Sequence, residues 1–517
     1  MKQIEEWIDT CAKEHVECAT LSSTAPLPKR VIDVLGSSSY PLVAFLYEPK
    51  TNERGAYVAL SHCWGDQNAK PLLRTTHSTL ASRQTGIEWT HLSKTFCDAI
   101  TITRKLRIRY LWIDSLCIVQ DDEEEWEQEA ANMGSIYENA YLVLAATAAW
   151  DGDGGCIFPR PTHEVTVSGH TILAREFPRT EHDVFVNQDQ IRIPPLFTRG
   201  WAYQERLLAT RILHFCSKEM IWECKSATQC ECGHSFPQLG TTKATQLRLI
   251  QAGSDRYEAL QIWNKIVEAF TRCSFTYDSD RLPALSSLAD KFASSIKPGR
   301  YLSGLWEEFL IEGLQWQVKS FSNQQGTSRL PSDYYAPSWS WASVVSPIAV
   351  LPSWHRESRK YIGHRERAKI IGVDNVLSNP KVPYGSTIRA ELRIHGLLTP
   401  AVLGTAAYLA SRDPYQATNR ASLCVGEEWL SATFDTPVSV VAGSKSNSYY
   451  LFWLESWYHT VWDGPPLEDY DEEVFLVLQM NTGPQRTFKR VGLLSVLQSD
   501  LKKWWPIPKG EETIIIL

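Results

Sequence analysis

YLWIDSLCIVQDDEEEWEQEAANMGSIYENAYLVLAATAA, residues 110–149, reads as a strand, a helix and a second strand. Its opening run, 110–119, is apolar almost throughout, as expected of a strand covered on both faces. Trp126, Ala130, Met133, Tyr137 and Ala140 then fall on one stripe of a helix over 124–140. Residues 141–149 return to a short apolar run. Upstream, AYVALSHCW (56–64) is β-rich, and LSKTFCDAITITRKL (92–106) places Leu92, Phe96, Ala99, Ile100, Thr103 and Leu106 at helical spacing. The order β-α-β-α-β predicts an α/β domain with a parallel sheet. After a long insertion (150–195), FTRGWAYQERLLATRILHF (197–215) adds a short helix and a strand.

Four regions follow. Residues 1–55 hold a helix, with Ile4, Trp7, Ile8, Cys11, His15 and Cys18 close to one face, and a linker broken at Thr20 to Pro28. Residues 56–235 are the α/β domain. Residues 236–345 look mainly helical (TQLRLIQAG, RYEALQIWNKIVEAF, LPALSSLADKFASSI) and end in APSWSWASV (336–344). Residues 346–517 carry apolar runs separated by Gly, Pro and Asn, which suggests a β-rich module.

The chain has 517 residues and a net charge of 52 − 59 = −7, with 43% hydrophobic and 21% charged side chains. That is the balance of a folded protein with sizeable cores. With mild acidity and no long basic stripe, nucleic acid is not an expected partner. No apolar run is long enough for a membrane span, and the acidic start MKQIEEWIDT does not resemble a signal peptide, so a cytoplasmic protein is expected. In that compartment the 12 cysteines are expected to be buried, metal-bound or catalytic, not paired in disulfides.

YVALSHCWG (57–65), LWIDSLCIVQDDEEEW (111–126), MGSIYENAYLVLAATAA (133–149) and RGWAYQERLL (199–208) resemble, in order, the blocks of the fungal heterokaryon-incompatibility (HET) domain. The opening Trp7-x3-Cys11-x3-His15-x2-Cys18, SDRLPALSSLA (279–289), YLSGLWEEFL (301–310) and APSWSWASV resemble the long-form members of that family. The resemblance implies an intracellular effector of non-self recognition and regulated cell death, acting with a protein partner of unknown identity. Members also occur beside secondary-metabolite genes. The HET domain is regarded as a remote relative of the TIR domain, so a TIR/flavodoxin-like parallel core is implied. Some TIR domains cleave NAD, which makes a nucleotide or other small metabolite an expected ligand.

Candidate chemistry gathers at four places. His62 and Cys63 close the first predicted strand, with Asp114 and Cys117 at or near the end of the second, where open parallel sheets bind ligands. A thiol beside an imidazole oriented by a carboxylate would suit a nucleophile acting on a metabolite. The alternative is a core cysteine and a turn-capping aspartate. Trp201 and Glu205 are four residues apart, hence on one helical face. TIR-type NAD hydrolases place a catalytic glutamate four after a tryptophan with a leucine close behind; here Leu207 comes one place later, after Arg206. A carboxylate there would stabilise oxocarbenium character, Arg199 or Arg206 would meet the pyrophosphate, and Trp201 would stack on a base. The alternative is a structural Glu–Arg pair. The acidic run Asp121 to Glu125 suits the capped start of a helix, with Asp121 or Asp122 as N-cap, the alternative being a magnesium site. Cys11, His15 and Cys18 point one way from their helix. Cys224-x5-Cys230-x-Cys232-x-His234 offers a fourth ligand, Cys232 being the one assigned, for a structural zinc. The alternative is simple burial of the thiols. Trp339 and Trp341, alternate residues, are expected on one face of a strand.

Overall fold

The computed structural model describes residues 1–18, 25–36, 42–160, 162–168, 170–175, 182, 185, 193–233, 256–319, 328–331, 333–351, 360–403, 420–425, 428–436, 449–460, 472–497 and 510–517. His234 and the stretch TQLRLIQAG lie outside them. The chain divides into two units, Met1–Ser254 and Asp255–Leu517.

Among the described residues, the first unit is built on a nine-stranded sheet: β1 (Val31–Asp33), β2 (Leu42–Tyr47), β3 (Tyr57–Ser61), β4 (Ile87–Glu88), β5 (Tyr110–Trp112), β6 (Leu142–Ala145), β7 (Arg211–Phe215), β8 (Met220–Cys224) and β9 (Thr228–Cys230). Their order across the sheet is β9-β8-β7-β6-β3-β5-β1-β2-β4. Only the central block β7-β6-β3-β5 is parallel. Its strands are joined through long connections carrying helices α2 (Lys94–Lys105), α4 (Glu123–Asn139) and α5 (Gly200–Leu208). The flanking strands run antiparallel.

The expected parallel sheet is found in this central block, while the sheet as a whole is mixed, and loop length gives the reason. A parallel crossover needs about a dozen residues. Phe215 to Met220 and Cys224 to Thr228 are joined by far fewer, so those strands can only fold back. Within the parallel block, numbered along the chain, the spatial order is 2-1-3-4. The reversal of direction falls between β3 and β6.

Residues 110–119 also depart from expectation. The strand stops at Trp112, and Asp114–Cys117 forms a single helical turn, α3, with the Ser115 N–H bonded to Asp114 Oδ1 at 2.7 Å. The two parallel-strand helices start where their caps predict. Ser93 Oγ accepts from the Phe96 N–H at 3.4 Å, and Asp122 Oδ1 accepts from the Glu125 N–H at 3.0 Å. Helix α2 buries Phe96, Ala99, Ile100 and Thr103, one stripe of a 3.6-residue period. Glu125 turns inward to bond Arg30 (2.5 and 2.8 Å) and Lys29 (2.5 Å). Strands β3 and β6 are buried on both faces, and Trp112 lies edge-on to Tyr137 at 5.5 Å. Helix α1 (Lys2–Glu14) buries Ile4, Trp7, Ile8 and Cys11, and Trp7 meets Trp222 of β8 at 6.3 Å.

The second unit begins with helices Arg256–Phe270 and Ser286–Ile296 and continues into β10 (Lys360–Glu366), β11 (Lys369–Leu377), β12 (Thr387–Leu403), β13 (Arg420–Val425), β14 (Glu428–Phe434), β15 (Tyr449–Thr460), β16 (Glu472–Met480), β17 (Phe488–Leu497) and β18 (Glu511–Ile516). Pairings run β12-β15-β16-β17-β14-β13 and back to β12, so six strands close on themselves. Ala401, Leu423, Phe434, Leu451, Phe475, Val477 and Leu494 share their apolar core. Closure is what long alternating strands achieve when they leave few edges unpaired.

Trp339 and Trp341 are buried, but not on a strand. Ser340 caps a short 3₁₀ turn, Trp341–Ser343, accepting from the Ala342 N–H at 3.0 Å. The indoles of Trp263 and Trp341 both donate to the Gly304 carbonyl, at 3.2 and 3.0 Å. Gly304 has φ +99°, and a Cβ there would come within 2.6 Å of Trp341 Nε1.

Candidate active site

Strand β3 ends at Ser61, and the chain leaves the sheet as His62-Cys63-Trp64-Gly65. Gly65 adopts φ +72°, where a Cβ would meet that of Asp151 at 2.6 Å, so the exit turn needs glycine. This segment meets Asp114, which follows β5, and helix α5, which precedes β7. All three lie at the carboxyl ends of parallel strands, the end at which open α/β sheets generally bind ligands.

Asp114 organises the exit segment. Its Oδ1 lies 3.1 Å from His62 Nε2, and its Oδ2 accepts from Trp64 Nε1 at 2.8 Å. Burial alone would raise this carboxyl, but His62, Arg199 and Trp64 outweigh it and hold Asp114 below the ordinary carboxylate range. The other imidazole nitrogen, Nδ1, faces the Cys63 carbonyl at 3.2 Å, and Phe96 packs edge-on to the ring at 5.2 Å. Arg199, at the entry to α5, donates to the His62 carbonyl.

Glu205 sits beneath this group, only 6% exposed. It accepts from Ser61 Oγ. Desolvation pushes its carboxyl up to about 7, against the lowering effect of Ser61, Arg199 and His62; the Asp114 charge adds to the rise. The Tyr137 hydroxyl, which donates to the Leu60 carbonyl at 3.0 Å, is also raised, first by burial and then by Glu205. A carboxyl poised near neutrality beside a guanidinium can stabilise developing positive charge or exchange a proton.

The structure thus brings His62, Asp114, Arg199 and Glu205 together and adds Ser61 and Tyr137. Ser61 stands immediately before the candidate histidine, but one serine in an apolar strand gives no sequence signal.

Three expected site residues lie elsewhere. Cys117 is buried at the end of α3, and desolvation pushes its thiol up to about 12, the reverse of an activated thiolate. Arg206 turns toward β8, where its guanidinium meets Glu223 at 2.7 and 3.0 Å and lies 4.3 Å from the Phe197 ring centroid. Trp201 packs edge-on against Trp126 at 6.2 Å. The Glu–Arg pair foreseen for this helix exists, but it is Arg206 with Glu223, not Glu205.

Of the expected metal residues, Cys11, His15 and Cys18 converge with Cys224, the four ligand atoms lying within 4.8 Å of one another. Cys232 joins a different group, with His182, Glu219 and Cys230. The start of α4 is a capped, ion-paired helix end: Asp122 caps it, Glu125 is bound by Arg30, and Asp121 Oδ1 accepts from the His77 N–H at 2.8 Å. Among the described residues, no helix is long and apolar enough to cross a membrane.

Comparison with known proteins agrees with this geometry. Over 170 residues, 31% of the chain, the sequence is 25% identical to "Heterokaryon incompatibility protein 6, OR allele" of Neurospora crassa. The match covers 24% of that protein, so the chain spans about a quarter of the length of its curated relative. No solved structure matches the chain. The family described as "Heterokaryon incompatibility protein (HET)" matches residues 57–205, which begin at the first residue of β3 and end at Glu205. Residues 57–205 are a HET domain.

Proposed function

We propose that this protein is an effector of non-self recognition whose HET domain binds a nicotinamide dinucleotide and cleaves its nicotinamide–ribose bond, the loss of NAD leading to cell death. In this reading the parallel block is TIR/flavodoxin-like, which its 2-1-3-4 strand order supports. The observation that carries the reading is Glu205: a carboxyl pushed up to about 7, with Arg199 close enough to lower it, at the carboxyl ends of the parallel strands. The C–N bond breaks with its electron pair leaving on neutral nicotinamide. The Glu205 carboxylate stabilises the oxocarbenium ion at the ribose carbon, and water adds there, giving ADP-ribose and a proton. Arg199 offers a bidentate partner for the pyrophosphate.

The test is NAD turnover by the purified full chain. Wild type is expected to release nicotinamide at a rate that rises with pH through about 7, as the carboxylate forms. Glu205→Gln is expected to slow it on the order of 10²-fold or more. Turnover unchanged in Glu205→Gln would overturn the reading.

A second reading, a non-catalytic interaction module, is favoured by the depth of Glu205 and its bond to Ser61. It predicts no turnover in wild type under any of these conditions.

A further inference from the structure

We infer that Cys11, His15, Cys18 and Cys224 form a closed Cys₃His zinc centre that fastens the N-terminal helix to the β8–β9 hairpin. Cys11 belongs to α1, His15 to its C-cap, Cys18 to the following 3₁₀ turn, and Cys224 to the last position of β8. Cys11, Cys18 and Cys224 are at most 1% exposed, and His15 Nδ1 lies 3.3 Å from Cys224 Sγ. A tetrahedral zinc with bonds of about 2.0–2.3 Å needs ligand atoms roughly 3.3–3.8 Å apart, so a group within 4.8 Å closes around the ion with small side-chain shifts.

Two further observations point to thiolates at this spot. The N–H groups of Ser226 and Ala227 are directed at Cys224 Sγ, at 3.5 and 3.3 Å, as outer-sphere donors to a metal-bound sulfur are. Arg211 is 3% exposed and, among the described residues, makes no ion pair with a carboxylate. Its Nε donates instead to Cys11 Sγ at 3.3 Å, and a second guanidinium N–H goes to the Cys18 carbonyl at 3.3 Å. A buried guanidinium beside neutral thiols would be an uncompensated charge, which is costly. Zinc with three thiolates and a neutral imidazole carries a net charge of −1, which Arg211 balances. Binding releases three thiol protons to solvent.

The centre matters to the candidate active site through β8. Glu223, next to Cys224, holds Arg206, which neighbours Glu205 on α5. The inference itself does not depend on any activity at Glu205.

The experiment is zinc content per chain of the purified full-length protein, for wild type, Cys18→Ser, Cys224→Ser, the double variant and Cys117→Ser. Each single variant is expected to lose one equivalent relative to wild type. The double variant should lose no more than either, and Cys117→Ser should lose none. Zinc content in Cys224→Ser equal to wild type overturns the inference, as does a disulfide among Cys11, Cys18 and Cys224 in the native protein. If Cys224→Ser does not fold, cobalt(II) exchange into the Cys230→Ser/Cys232→Ser double variant removes both thiols of the second cluster. Intense thiolate-to-cobalt charge transfer with tetrahedral d–d bands is expected; an octahedral spectrum or no uptake overturns it.

Discussion

Replacing Glu205 with glutamine should change how stability depends on pH, whether or not the domain turns over a substrate. In the unfolded chain the carboxyl titrates near 4.5; in the fold, desolvation pushes it up to about 7. The native state therefore holds the proton more tightly than the unfolded state. The stability this contributes is complete below pH 4.5 and is lost as pH rises through about 7. Each pH unit in that window is worth about 1.36 kcal/mol, so the full loss is about 3 kcal/mol, most of it between pH 5 and 8. Glutamine keeps an acceptor for Ser61 Oγ but cannot ionise. The variant should match wild type within about 1 kcal/mol at pH 5 and exceed it by about 2–3 kcal/mol at pH 8. Urea unfolding of both full-length proteins, followed by hydrogen exchange on peptides covering 57–61 and 200–208, measures the difference while other titrating groups cancel. Parallel stability profiles for the two proteins from pH 5 to 8 would refute the account of Glu205.

Three other outcomes follow from buried contacts. Arg206→Ala leaves Glu223, 2% exposed, with His214 at 3.2 Å but no guanidinium, and should cost the first unit about 3–5 kcal/mol in chemical denaturation. Glu125, pulled down to about 2 as Arg30 and Lys29 overcome its burial, stabilises the fold above pH 4.5; wild type should lose its advantage over Glu125→Gln as pH falls from about 4.5 toward 2, read from thermal melts. Gly304→Ala forces a left-handed backbone onto alanine and its methyl into Trp341, and should lower the stability of the second unit by about 1–3 kcal/mol in hydrogen exchange at 301–306.

The parallel block was legible because its strands are apolar on both faces and its connections are long enough for helices. The flanks were not. Val31–Asp33 and Thr228–Cys230 are three-residue strands without a period to read, and only loop lengths hint that they return antiparallel. The end of β5 was misread because Ile113 to Val119 stays apolar through the turn at Asp114; side-chain bonds, not hydrophobicity, end that strand. At the candidate site, the strand ends are where the fold gathers His62, Asp114 and Glu205. Arg206 was indistinguishable from Arg199 in sequence, since residues seven apart would share a helical face; Arg199 instead sits at the N-cap, outside α5, and Arg206 is held by Glu223 of β8. The fourth member of the Cys11–His15–Cys18 cluster was equally ambiguous. Cys224, Cys230 and Cys232 have similar spacing from the first three, and the choice is made by hairpin register, which sets Cys224 directly opposite Arg211.

The mixed sheet of the first unit also limits how other chains can join it. Its outermost strands are Ile87–Glu88 and Thr228–Cys230, two and three residues long. A partner adding a strand to an open edge gains affinity from a run of main-chain bonds. Among the described residues, neither rim offers more than a fragment of such a template, which disfavours recruitment by backbone extension there. Short edges of this kind leave side chains, not a common backbone grip, as the surface by which near-identical partners would be told apart.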